Sequence, residues 1–227
     1  MSTYVSKAPT TPSPAPPTST KARTVASIAA VLFAISFFCT VASVNVPHKA
    51  SDAKLLDWWQ DSGKLNSGIA SEFFAIGTAV LFIVVINYVL TLLARSGMPQ
   101  WTAFAHSMAT VFAATLLVSA ALRGVIGHMV QVYDDPLPGI DVLRYSTGLN
   151  YTLIGTATMA AFALSILAVS VVVVRTEVLA KWAGYVGLLC GGAILVAVAL
   201  LMGAYTIPLA ILWAVCTSVA IWRQPAA

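Results

Sequence analysis

The sequence predicts an all-α protein, a polytopic membrane bundle of six transmembrane helices with a short surface helix in the first outer loop. Of its 227 residues, 59% are hydrophobic and only 9% are charged, whereas a soluble domain is about 25% charged. Its apolar stretches approach the ~20 residues that cross a hydrocarbon core of about 30 Å. They also follow one another without a gap long enough for a soluble domain.

The chain begins with a segment that predicts no folded structure. Residues 1–20 read MSTYVSKAPTTPSPAPPTST, a composition rich in Pro, Ser and Thr that buries too little apolar surface to fold. We interpret it as a disordered cytoplasmic tail, followed by the transmembrane domain over residues 21–227. Lys21 and Arg23 come only after this tail, so the first apolar run is expected to be an anchor and not a cleaved signal peptide.

Hydropathy places the six spans one after another along the rest of the chain. Their approximate bounds are 24–46, 68–93, 101–126, 151–174, 182–202 and 205–222. The last span is short and carries Pro208 near its start. Proline is tolerated in a first helical turn because its missing N–H has no intrahelical partner there.

Sorting the basic residues by side predicts the orientation, because cytoplasmic loops of membrane proteins are enriched in Lys and Arg. Alternation across six spans gives one side Lys7, Lys21, Arg23, Arg95, Arg175, Lys181 and Arg223. The other side receives Lys49, Lys54, Lys64, Arg123 and Arg144, diluted by six aspartates. Both termini are therefore expected in the cytoplasm.

Two outer loops carry the remaining polar sequence. Residues 51–63 have a serine N-cap candidate, an acidic first turn and a glycine stop, which predicts a short helix on the membrane surface. Its Trp58 and Trp59 are expected at headgroup depth, where amphipathic rings are best solvated. The second loop, 127–150, contains DDPLPG and is expected to form turns rather than helix.

Two charged residues within the spans predict an ion pair. Glu72 lies in span two and Arg123 in span three, and they are equally far along the chain from the hairpin near Gly97. A Glu72–Arg123 pair would remove the cost of two isolated charges in a membrane. It is interpreted as an ion pair that fixes helix register, with a gate or proton site as the functional alternative.

The same counting places Asn87 at the depth of His106, so a hydrogen bond across the hairpin is expected. We interpret it as a packing contact between helices, with a proton relay as the alternative because imidazole titrates near neutral pH. No second histidine lies at a depth suited to bis-histidine haem, and the three cysteines form no metal motif. No cofactor and no metal site are predicted.

A stripe of small residues marks span five. Gly184, Gly187 and Gly191 allow close approach of another helix backbone. The spacing leaves the partner open between span four, which has Gly155 and Ala157, and a second protomer.

The hairpin between spans four and five reads RTEVLAKWAGYVGLL over residues 175–189. It resembles the DUF4386-type family of bacterial integral membrane proteins, in which a basic residue, a Leu and a Trp precede a Gly-rich fifth span. The layout of six spans, a surface segment after the first and a longer outer loop after the third is also similar. The resemblance implies this fold and a bacterial plasma membrane, and it supplies no catalytic residue.

Three classes of function remain. The first is a non-catalytic membrane component that binds a lipid, a small hydrophobic ligand or a partner subunit. The second is a small transporter or channel using Glu72, Arg123, Asn87 and His106. The third is an enzyme acting on a lipid, for which no cluster of nucleophile, acid and base is visible. The expected partners are the bilayer and a membrane protein or second copy, and no nucleic acid.

Overall fold

The fold is an all-helical bundle with long apolar helices, as the sequence predicts. A computed structural model describes residues 19–43, 46–47, 49–94 and 97–224. The predicted tail lies outside the described residues except for Ser19 and Thr20. Lys7 and Arg95, two of the basic residues that predict the orientation, also lie outside the described residues. Within the described part the α-helices are α1 Thr20–Ala42, α2 Asp52–Gln60, α3 Ser62–Leu93, α4 Pro99–Gln131, α5 Ile140–Thr152, α6 Met159–Thr176, α7 Lys181–Ala199 and α8 Ile207–Trp222.

Two short irregular segments connect the later helices. A π-helical segment, Leu153–Thr158, joins α5 to α6 into one helix of 37 residues, Ile140–Thr176. A 3₁₀ turn, Gly203–Thr206, precedes α8. Six helices are long and apolar enough to cross a membrane, so the chain is a multi-pass membrane protein by length and composition.

Local sequence explains where the helices begin and end. The Ser19 hydroxyl accepts the N–H of Ala22 and caps α1. Asp61 caps α3 by accepting the N–H groups of Gly63 and Lys64, and the bond from the Lys64 N–H is the main cause that lowers the pKa of Asp61. Glu177 ends α6 in the left-handed conformation.

The spanning helices form a closed ring. Contacts run from α1 to α3, then to α4, α6, α7 and α8, and back to α1. Aromatic side chains fill its centre, with Phe82 at ring-centroid distances of 4.6 Å from Phe112 and 5.3 Å from Phe162. Ser27 and Ser218 exchange hydrogen bonds where α8 meets α1. We call the end of the ring that holds Thr20 and Gln224 the terminal end, and the opposite end the capped end.

A second hydrophobic cluster covers the capped end. Its buried members are Val46, Leu55, Trp58, Trp59, Leu65, Ile126 and Leu143. The side chains of Trp58 and Trp59 are 9% and 3% exposed and pack inside the protein, while their position at headgroup depth stays a prediction. The α2 helix docks on α3 and α5, where burial of the two indole rings stabilises the contact. We call this layer the cap.

The second outer loop is also shorter than the sequence predicts. Helix α4 continues to Gln131 and α5 already begins at Ile140, so the turns expected over 127–150 are confined to the segment with Pro136 and Pro138. The flanking residues are helical because Leu143 and Ile126 bury themselves in the cap. Helix α4, with 33 residues, is about 50 Å long and extends well beyond the hydrocarbon core.

Candidate functional site: a buried arginine beneath the cap

The side chain of Arg123 lies between α1, α3 and α4, just beneath the cap. It is 5% exposed, and its Nη1 donates hydrogen bonds to the Thr40 carbonyl oxygen at 2.7 Å and to Ser71 Oγ at 2.8 Å. The Ser71 hydroxyl donates to the same Thr40 oxygen at 2.7 Å. The last turn of a helix presents unpaired carbonyls and a negative dipole end, so the end of α1 attracts this guanidinium.

The positive charge of Arg123 meets no negative side chain in the described residues. Their ion pairs join Lys64 to Asp61, Arg144 to Asp52 and Lys181 to Glu177, and the carboxylate of Glu72 lies beside His128. The Nε and Nη2 atoms of Arg123 are buried without a hydrogen-bond partner there. A buried cation normally pairs with an anion, and two unpaired guanidinium donors match a carboxylate or phosphate.

Further buried polar groups lie at the same level. Ser119 Oγ, one turn before Arg123 on α4, is 2.6 Å from Asn150 Oδ1. Tyr151 donates its hydroxyl to the Val46 carbonyl at 3.1 Å. A layer of polar side chains thus separates the aromatic centre of the ring from the cap.

The predicted Glu72–Arg123 ion pair is wrong. The Glu72 carboxylate lies 3.6 Å from His128 Nδ1, in the space left by Gly124, where a Cβ atom would overlap Glu72 Oε2. The His128 Nδ1 atom is also 3.0 Å from the Gly124 carbonyl oxygen. Neighbouring residues of a helix point about 100° apart, so Ser71 faces Arg123 while Glu72 points into the groove beside Gly124 and His128.

The predicted Asn87–His106 hydrogen bond is also absent from the described residues. Both side chains are exposed on the outer surface of the ring. The polar hairpin residues therefore do not converge: Arg123 points inward, Glu72 lies in the groove between α3 and α4, and Asn87 and His106 point outward.

The structure places the glycines of span five against α6. A Cβ atom on Gly184, Gly187 or Gly191 would overlap side chains of Val174, Ser170 or Leu167. The partner left open by the spacing is therefore span four of the same chain, although Gly155 itself packs against the segment before α8.

Sequence reasoning missed Thr40, Ser71 and His128. Helical spacing could have indicated a polar face on α4, since Ser119 and Arg123 are four residues apart and lie on one face of the helix. His128 follows Gly124 by the same interval. No three His, Cys, Asp or Glu side chains of the described chain come together as a metal site would require.

The fold and this site define a multi-pass membrane protein with a capped helical ring and a buried arginine that has no ion-pair partner among the described residues. No protein-family model, curated protein or solved structure matches the chain.

Proposed function

We propose that the protein is a non-catalytic membrane component that binds an anionic amphiphile through Arg123. The observation that carries the proposal is the burial of Arg123 with two guanidinium donors unpaired and no ion-pair partner in the described residues. We further propose a bacterial plasma membrane, cytoplasmic termini and membership of the DUF4386-type family, on the residues given above.

The depth of Arg123 favours the headgroup of a lipid or fatty acid as the ligand. Counting 24 residues from Pro99, where α4 begins, Arg123 lies about 36 Å along the helix axis. The hydrocarbon core is about 30 Å thick, so the guanidinium is level with the headgroups of the leaflet at the capped end. A phosphate or carboxylate there meets the free donors, while its acyl chains remain in the hydrocarbon.

Thermal unfolding of the purified protein in a neutral detergent tests this proposal. Phosphatidylglycerol supplies a phosphate and oleate supplies a carboxylate, and phosphatidylcholine serves as the zwitterionic comparison. We expect either anionic probe to raise the Tm of the unaltered protein, since a ligand at 100 times its Kd contributes about 2.7 kcal/mol.

Two variants give the test its specificity. Arg123→Gln should lose the response to the anionic probes, whereas Arg144→Gln should keep it, because Arg144 is exposed at the capped end on Asp52. An equal response from the unaltered protein and Arg123→Gln would contradict the proposal. A response to oleate alone would identify a carboxylate ligand.

A proton-linked transporter is the second candidate, favoured by the Glu72–His128 contact. One carboxylate oxygen of Glu72 is buried without a hydrogen-bond partner in the described residues, and a titratable imidazole lies beside it. Proton flux into reconstituted vesicles that is abolished by Glu72→Gln and retained by Glu177→Gln would favour this candidate over simple binding.

A further inference from the structure

The outer face of the α3–α4 hairpin has polar side chains at positions that face lipid. Asn87 is six residues before the end of α3 and His106 seven residues after the start of α4, which puts both about 10 Å along the helix axis from the terminal end. Both positions therefore fall within the predicted membrane spans. Both side chains are exposed. Neither has a hydrogen-bond partner among the residues that the structure describes.

Other hydroxyl groups on this face are already satisfied. Thr91 donates to the Asn87 carbonyl, Ser107 to the Ala103 carbonyl and Thr110 to the His106 carbonyl, at 2.8 to 3.1 Å. In contrast to these hydroxyl groups, the amide of Asn87 and the ring of His106 have no partner among the described residues. An unsatisfied polar group in hydrocarbon is costly, so these two groups call for a partner in the membrane.

Helix α4 also offers a close approach beside these groups. Ala103, Ser107, Thr110 and Ala114 are all exposed, and their spacing of four, three and four residues places them along one face. Small residues at such spacing let a second helix come close enough for interhelical hydrogen bonds.

We infer that this face, which we call the Asn87–His106 face, binds a second copy of the chain. An amide carries both donor and acceptor groups, and so does a neutral imidazole. Identical copies can therefore satisfy one another across a two-fold axis. Two copies inserted in the same orientation also bring the Asn87 and His106 of one copy to the same depth as those of the other. An unrelated helix would need polar groups of its own at that depth.

Cysteine cross-linking in native membranes tests the inference. The background replaces Cys39, Cys190 and Cys216 by alanine. Ser107→Cys should form a disulfide-linked dimer on mild oxidation. Leu189→Cys should not, although Leu189 is 74% exposed, because α7 lies across the ring from α3.

A second measurement removes the polar groups while leaving the helices apolar. Asn87→Leu combined with His106→Leu should weaken dimerisation in lipid, followed by fluorescence energy transfer on dilution, about tenfold. After dilution to the monomer, the double leucine variant and the unaltered protein should have the same Tm, since neither side chain contacts the bundle interior.

Three outcomes would overturn the inference. One is a Ser107→Cys dimer yield no higher than that of Leu189→Cys. Another is undiminished association of the double leucine variant. The third is a cross-linked product whose mass identifies a different protein, which would make the face a site for a heterologous partner. Because the face is remote from Arg123, loss of anion binding in Arg123→Gln leaves these expectations unchanged.

Discussion

Arg123 is held by neutral oxygen atoms, and this arrangement determines what its neighbours contribute. The Ser71 hydroxyl accepts from the guanidinium and donates to the Thr40 carbonyl, so it links α3 to both α4 and α1. A buried group that loses its partner costs about 1–3 kcal/mol, and more when it is charged. Ser71 is thus expected to stabilise the protein more than an ordinary buried serine does.

The first prediction concerns Ser71→Ala. We expect it to lower the free energy of unfolding by about 1–3 kcal/mol, and to couple with Arg123→Gln by at least about 0.5 kcal/mol in a double-mutant cycle. Thermal unfolding in detergent is the measurement. Ser67→Ala is the matched control, because its hydroxyl bonds only to the Gly63 carbonyl of the same helix. Additive losses at Ser71 and Arg123 would show that the hydrogen bond contributes no stability.

Counting residues from a hairpin predicts depth but not rotation. The sequence placed residue 123 opposite residue 72, and the observed partner, Ser71, is its immediate neighbour. The rotation of α3 about its axis follows from packing against α1, which no periodicity within α3 reveals. For the same reason Asn87 and His106 face outward and form no hydrogen bond with each other in the described residues.

At the scale of elements, the backbone of the π segment between α5 and α6 lies in close contact with the backbone of the turn before α8. A Cβ atom on Gly203 would overlap the Gly155 carbonyl oxygen, so the turn before α8 approaches the π segment with no side chain between them. One turn further along the helix, Thr158 donates its hydroxyl to Thr115 Oγ1 at 3.1 Å. The π segment therefore joins α4 to the turn before α8.

The second prediction tests this contact through Gly203→Ala. The added methyl group meets backbone, which cannot swing aside, and overpacking of this kind costs about 1–3 kcal/mol. Gly192→Ala is the control: its Cβ would meet nothing within 4 Å, and alanine is favoured over glycine within a helix by roughly 0.5–1 kcal/mol. Unfolding by guanidine or by heat should show a lower free energy of unfolding for Gly203→Ala and a higher one for Gly192→Ala, each relative to the unaltered protein. Equal Tm values for the two variants would contradict a close backbone contact between Gly203 and the π segment.

Hydropathy located all six spans, but it misjudged where a helix begins or ends when that helix extends beyond its predicted span. Helix α5 begins at Ile140, well before the span predicted from residue 151, because the intervening residues are polar on one side and bury Leu143 on the other. An average over a window does not distinguish such an amphipathic extension from a loop. Proline and glycine, which act locally, correctly indicated the turn at 134–139.

At the scale of the whole molecule, Gln224, two residues after the end of α8, connects the helices at the terminal end. Its amide nitrogen donates to the Val178 carbonyl at 2.9 Å, its amide oxygen accepts from Tyr88 at 3.1 Å, and its backbone oxygen accepts from Arg23. The α1, α3 and α8 helices and the turn after α6 are therefore held together at one end of the ring.

The third prediction concerns orientation. With Thr20 and Gln224 both at the terminal end, the distribution of Lys and Arg predicts that this end lies in the cytoplasm. In the cysteine-free background, Asp135→Cys should react with an impermeant maleimide in intact cells, whereas Lys21→Cys should react only after the membrane is opened. Both positions are exposed, so accessibility within the protein is matched. The reverse pattern would invert the topology.

The helices of the ring differ greatly in length, and the surrounding bilayer must adapt to this difference. Helix α7 has 19 residues and measures about 28 Å, whereas the predicted apolar part of α4, residues 101–126, measures about 39 Å. The turn after α7 exposes Leu200, Leu201 and Met202, apolar side chains that favour hydrocarbon over water. Hydrophobic mismatch of this kind is relieved by local thinning or tilting. The leaflet at the capped end is therefore expected to slope, thinner beside α7 than beside α4.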